Sequence, residues 1–187
     1  EDTAVASASG LDVVIIGTGD TASDCVATAL RQDCRSVTQL VRRPRTDYLD
    51  AAGVLPLDYA HEEVLAVTGR DPRRFGVQVQ SLVAGETGAL TGVVTTEGDT
   101  LPCQLLIGAT GFAGCERGVC EAFGVEADRT FHTAPGSYAA NADKVFAAGD
   151  MRRGQSLVVW AIREGRSAAA EVDRYLTGYT NLVRSIG

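Results

Sequence analysis

A chain of 187 residues that is 45% hydrophobic and 22% charged, with mean hydropathy near zero (+0.03), reads as a soluble globular protein: one large domain, or one domain plus part of another. The net charge of −7 and isoelectric point near 4.8 exclude the surplus of clustered Lys and Arg that a nucleic-acid surface needs. No apolar run nears the roughly 20 residues of a membrane-spanning helix, and the polar start EDTAVASASG lacks a signal-peptide core, so a cytoplasmic protein is expected.

The start at Glu1 without Met, directly upstream of a strand–turn–helix unit, suggests a fragment or processed product. Leu11 to Ile16 is a continuous β-branched run, as in a parallel strand buried on both faces, and GTGD ends it. From Asp20 to about Arg31, Ala22, Cys25, Val26, Ala29 and Leu30 recur at helical spacing. Ser36 to Val41 is the next strand, completing a β-α-β unit with a right-handed crossover.

Arg42 to about Pro72 is a polar connection broken by Pro and Gly, with a short helix around Tyr59 to Val67. FGVQVQSLVAG and ALTGVVTTEG alternate apolar with polar residues around Gly85–Gly88, which predicts an antiparallel hairpin. Leu105 to Ile107 returns to a buried-strand pattern. Lys144 to Ala148 predicts one more buried strand, ending at Gly149 and Asp150. A long helix follows, with Val158, Ala161, Ile162, Ala168, Ala169, Val172, Tyr175 and Leu176 as its apolar stripe and a stop near Gly178.

The five cysteines, Cys25, Cys34, Cys103, Cys115 and Cys120, form no CxxC pair, and the histidines are His61 and His132 alone. That composition gives little support to zinc or iron–sulfur ligation and predicts reduced, mostly buried thiols, with Cys115 and Cys120 the one close pair.

Three constellations carry chemistry. Gly17, Gly19 and Ala22 form a G-x-G-x-x-A pattern between a strand and a helix. Gly17 allows the tight turn, Gly19 admits a pyrophosphate, and Ala22 permits close helix–strand packing, while the helix start offers unpaired N–H groups. A plain structural turn is the bland reading. About 20 residues on, where an NAD site places an acid on the ribose, stand Arg42 and Arg43, with Arg45 beyond, which prefers the extra phosphate of NADP over NAD. A solvated basic loop is the competing explanation.

The second constellation is Ala109-Thr110-Gly111, small residues at a strand's carboxyl end that leave room in the crevice where such sheets bind ligands. The third is VFAAGDMRRGQSLVVW. Here Asp150 comes at a strand end, and a helix begins a few residues later with Gln155 and Ser156 near its N-terminus, an arrangement suited to a polyol hydroxyl and an electron-rich ring carbonyl. Capping by Ser156 and a loop role for Asp150 remain open.

The strings GTGDTASDCVATALRQDCRSVTQL, LDYAHEEVLAVTGRDPRRFGVQVQ and VFAAGDMRRGQSLVVWAIREGRSAAAEVDRYL resemble glutamate synthase small subunits. The resemblance runs over nearly the whole chain after residue 10. It implies an α/β fold related to the two-dinucleotide disulfide reductases. Residues 1–111 would be a Rossmann-like NADPH-binding domain with an inserted antiparallel meander. Residues 112–187 would be the C-terminal strand and helix of a split FAD-binding domain.

It further implies that Gly17, Thr18, Gly19, Asp20 and Thr21 hold the NADPH pyrophosphate and that Arg42 and Arg43 take its extra phosphate. Thr110 and Gly111 would link the two domains. Gly149 and Asp150 would reach the FAD ribitol, and Gln155, Ser156 and Leu157 the flavin's pyrimidine side. The activity implied is hydride transfer from NADPH to FAD, then single-electron steps through iron–sulfur centres to a large subunit that makes glutamate from glutamine and 2-oxoglutarate. Both cofactors carry their own chemistry, so no general acid or base is assigned.

Two departures accompany the resemblance. The family's N-terminal iron–sulfur region and first FAD half, with its own glycine-rich turn, are absent from the chain, and Pro44 to Pro56 is shorter than the usual segment. Other NADPH-dependent flavoproteins, dihydropyrimidine dehydrogenase-like or ferredoxin-coupled, share these modules, while a thioredoxin reductase-like form lacks support without CxxC. A noncatalytic NADP-binding or docking fragment is the rival from another class. Protein that purifies colourless yet binds NADPH would favour it.

Overall fold

The computed structural model describes residues 6–184, and its backbone contacts divide the chain after Gly111 into two units. In the first unit, β1 (Asp12–Ile16) pairs in parallel with β2 (Ser36–Val41) on one side and β7 (Leu105–Gly108) on the other. A three-residue strand, β3 (Arg73–Phe75), extends the sheet beyond β2, giving the order β3-β2-β1-β7. Val13, Val14 and Ile15 are almost wholly buried, as a β-branched run sandwiched on both faces should be.

Helix α1 (Asp20–Arg31) lays Ala22, Val26, Ala27 and Ala29 against one face of this sheet, and α2 (Tyr59–Thr68) adds Ala60 and Val64 to the same cluster. Asp58 caps α2 by accepting bonds from the backbone N–H of Ala60 and His61, and Gly69, at φ 71°, ends it. On the other face Val14 and Leu40 pack with Val77, Val93 and Cys103, which come from or beside a second, antiparallel sheet. That sheet runs β4 (Val79–Ala84), β5 (Leu90–Thr95) and β6 (Thr100–Pro102).

The expected hairpin is therefore present, with one correction. FGVQVQSLVAG is not one strand: Phe75 closes β3, and Gly76, at φ 74°, turns the chain before β4. There Gly76 N–H donates to the Arg43 carbonyl and Val77 N–H to that of Val41. The short strand β6 also escaped the hydrophobic pattern.

The second unit has less regular structure. Its described helices are α3 (Arg117–Phe123), the single turn α4 (Asp150–Arg153) and the long α5 (Val158–Thr177), closed by Gly178 in the left-handed region. Cys120, Val125, Phe131 and Ala147 form its core cluster.

Two expectations fail here. Lys144 to Ala148 is not a ladder strand. Lys144 itself has a positive φ of 63°, and Phe146 makes only an isolated bridge to Ala139, because no extended neighbour among the described residues continues the pairing. The expected apolar stripe on α5 faces the unit's interior only through its smaller members, Ala168 buried and Ala161 and Val172 half-buried. The buried positions are Glu164, Ser167, Ala168 and Ala170, whereas Val158, Ile162, Tyr175 and Leu176 are exposed. Small residues face inward because the helix packs closely, a β-carbon on Gly149 coming within 3.2 Å of Ala161 Cβ.

Candidate functional site

The strand order reverses between β1 and β7, so the chain leaves the sheet in opposite directions on either side of that seam. A crevice at the carboxyl ends of two such strands is where open α/β sheets take ligands. Gly17 ends β1 and Ala109 ends β7, with Ala109 N–H donating to the Ile16 carbonyl at 2.7 Å. Gly17 has a φ of 143°, and a β-carbon there would overlap the Ala109 carbonyl, so only glycine fits.

Gly19 is different. Its backbone is extended (φ −86°, ψ 178°) and a β-carbon on it would meet nothing within 4 Å. Internal packing therefore does not demand glycine at this position, while open space lies beside it. Thr18, Gly19, Asp20 and Thr21 are all exposed, and Ala22 is fully buried beneath them. The Ala22 and Ser23 amides donate back to the Gly19 carbonyl, whereas those of Asp20 and Thr21 carry no hydrogen bond among the described residues. Unpaired donors and the positive end of a 12-residue helix thus meet at an open turn.

Arg42 and Arg43 leave the carboxyl end of β2, the strand beside β1, and both are exposed, as is Arg45. None of the three guanidinium groups has a carboxylate partner among the described residues. Arg31, Arg35, Arg73 and Arg74, by contrast, are each paired with an acid.

The pattern reading missed a buried polar chain beneath the turn. Gln39, 1% exposed, donates through Nε2 to the Gly17 carbonyl at 2.9 Å, and its Oε1 lies 2.7 Å from His61 Nε2. Since the amide nitrogen must face a carbonyl, Oε1 must face the imidazole, and His61 Nε2 must carry the proton. His61 Nδ1 lies 2.9 Å from Asp58 Oδ1 but is not aligned for a hydrogen bond. Asp58 in turn accepts a short bond from the Ser23 hydroxyl on α1.

Burial first, and the Arg73 guanidinium second, push the His61 imidazole below its ordinary value against the pull of Asp58 and Asp71. Burial works to raise the Asp58 carboxyl, but the bonds from Ser23, His61 N–H and Ala60 N–H prevail and hold it below the usual carboxylate range. Gln39, a long amide between Thr38 and the buried pair Leu40 and Val41, was the available signal for this chain.

Thr110 and Gly111 follow Ala109 at the crevice wall, both exposed, with Gly111 at φ 96°. In the second unit, Gly149 (φ 64°) is buried and its N–H donates at 2.9 Å to Glu164 Oε2. Glu164, 4% exposed, also accepts from Arg152 Nη1 at 2.8 Å, a buried carboxylate that the expected stripe concealed. Asp150 is exposed, and its Oδ1 accepts from the Ser156 N–H at 3.3 Å.

Gln155, Ser156 and Leu157 are exposed, and the N-cap of α5 is Leu157 with no side-chain cap, so Ser156 is not the capping residue. The amides of Val158 and Val159 have no acceptor among the described residues. A cavity of about 530 Å³ in this unit is lined by residues 139–146 with Glu171, Arg174 and Tyr175 and includes none of the residues from Gly149 to Leu157.

The family model for pyridine nucleotide-disulphide oxidoreductases matches residues 2–165. The chain is 43% identical over 199 residues to the glutamate synthase [NADPH] small chain of Bacillus subtilis, covering 91% of this chain and 40% of that protein. It is 41% identical to the protein of the same description from Mycobacterium tuberculosis, covering 94% and 40%. The chain thus spans about two-fifths of these relatives' length. Among solved structures, the thioredoxin reductase of T. acidophilum matches with a TM-score of 0.68 at 20% identity, over 90% of this chain and 54% of that one. A ferredoxin reductase from Rhodopseudomonas palustris matches at 0.65 and 20%, over 87% and 41%. Both share the fold.

Proposed function

Because the chain belongs to the pyridine nucleotide-disulphide oxidoreductase family, we propose that its first unit binds NADPH and its second contributes part of an FAD site, in a glutamate synthase small subunit. The observation that carries the reading is the open turn at Gly17–Thr21, where the start of α1 offers amides, and the end of β2 arginines, that have no partner among the described residues. Such a turn holds a diphosphate through its backbone, and Gln39 keeps the turn's shape by holding the Gly17 carbonyl from below.

Arg42 and Arg43 take the additional phosphate of NADPH, since a guanidinium without a carboxylate partner is free to make charge-assisted bonds. In the second unit Asp150 would hold the ribitol, and the amides of Val158 and Val159 at the start of α5 would supply donors to the flavin. Glu164 holds the backbone of Gly149, the residue before Asp150. When both are bound, nicotinamide and flavin supply hydride chemistry of their own, and this chain supplies alignment, exclusion of water and local charge. Electrons then pass to a glutamate synthase large subunit or another iron–sulfur acceptor.

Replacing Arg42 and Arg43 together with Ala tests the assignment. The expected result is a loss of NADPH affinity of about thirtyfold, with NADH affinity changed less than about threefold, measured by titration calorimetry. Equal losses for the two nucleotides would remove both arginines from the phosphate site.

A further inference from the structure

We propose that Cys115 and Cys120 are a redox couple that closes to a disulfide on meeting a two-electron oxidant of the disulfide class, a reaction independent of NADPH and flavin. The two sulfurs lie 3.6 Å apart, in van der Waals contact, and closing to the disulfide length of about 2.05 Å is a short movement.

Both sulfurs sit on backbone held from other directions. Cys115 N–H donates to the Arg129 carbonyl at 3.0 Å, and the preceding Gly114, at φ 121°, fits so tightly that a β-carbon there would come within 2.8 Å of the same oxygen. Cys120 lies within α3, and its carbonyl accepts from Val125 N–H at 2.9 Å. The approach of the sulfurs is thus built into two anchored segments rather than left to a loose loop.

Their exposures differ in a useful way. Cys115 is half-buried and meets solvent, while Cys120, 6% exposed, packs with Val125, Phe131 and Ala147. Cys115 is therefore the attacking thiol and Cys120 the resolving one. The Cys115 thiolate attacks one sulfur of a small-molecule disulfide, releasing one thiol and forming a mixed disulfide. Cys120 then attacks the Cys115 sulfur, releasing the second thiol. Two protein thiols become one S–S bond, and two electrons with two protons leave on the small molecule.

The other cysteines do not compete. Among the described residues no second sulfur meets Cys25, Cys34 or Cys103, and burial pushes their thiols up; it pushes Cys120 up as well, but Cys120 has a sulfur already in contact to attack.

The 187-residue chain, reduced with a phosphine that is then removed, is treated with oxidised glutathione and digested for mass spectrometry. The expected product has lost two hydrogens, carries a Cys115–Cys120 cross-link, and retains three of its five thiols for alkylation, those of Cys25, Cys34 and Cys103. The pair should react at least about tenfold faster than any of these three, and dithiothreitol should restore all five. Cys120→Ser should stop at a single glutathione adduct on Cys115. Five alkylatable thiols after oxidation, a stable glutathione adduct in the unchanged chain, or a cross-link between other cysteines would each overturn the proposal, and the unchanged chain alone decides the matter if the variant fails to fold.

Discussion

The two turns proposed to face cofactors are built on opposite plans. Gly17–Thr21 stands on a parallel sheet and a helix whose apolar face is buried, and its shape is fixed from beneath by side chains, Gln39 and then His61. Gly149–Leu157 has no strand leading into it. It is held by one buried carboxylate, Glu164, reaching back from a helix whose large apolar residues stay exposed. The contrast teaches that an exposed turn can rest on regular secondary structure or on a single buried charge, and the two should fail differently.

The largest effect should come from Gly17→Ala. Both its left-handed backbone and the Ala109 carbonyl oppose a β-carbon, and a loss of about 4 kcal/mol in stability is expected by urea denaturation. Gly19→Ala should cost about 1 kcal/mol or less while lowering NADPH affinity about tenfold, since its neighbouring space is free of protein. If both variants lose stability alike, the space beside Gly19 is not a ligand's.

Glu164→Ala comes next. It strands the Gly149 N–H and takes the carboxylate from Arg152, which keeps only its bond to the Ser137 carbonyl and its place over the Tyr138 ring, and about 3 kcal/mol should be lost in the same assay. Were the loss under about 1 kcal/mol, the turn would not depend on that carboxylate.

The smallest effect separates the plans by pH. The folded imidazole of His61 is pushed below its unfolded value, so the unfolded chain binds the proton first. The stability that His61 contributes is complete above the ordinary imidazole value of about 6.5 and declines as pH falls from there toward the lowered folded value. His61→Gln should flatten the thermal-melting profile over that window. An unchanged slope would mean that another group titrates.

Much of the first unit was legible in the sequence because its period is regular. LDVVII and SVTQLV read as strands, the first one residue longer than β1, and the spacing between Ala22 and Leu30 gave α1 with its observed bounds. The turn was legible for the same reason, as two glycines between a strand and a helix. Gln39 and His61 were not, since a polar residue inside a strand gains its meaning only from what lies across the fold.

In the second unit the pattern misled. On α5 the largest apolar side chains share a helical face, but the close approach at Gly149 selects small residues and one glutamate for burial. Local hydrophobicity cannot reveal a packing distance. VFAAGD likewise has strand-like composition, yet strands form only against a partner.

The placement of β7 beside β1 has a kinetic consequence. The bond from Asp12 N–H to Gln104 Oε1 joins residues 92 apart, so one flank of the most apolar strand must wait for most of the first unit to be synthesised. Closing so long a loop is slow, and until it closes β1 is an edge open to pairing with other nascent chains. Ala109, at the end of β7, is therefore among the last parts of the first unit to find its place.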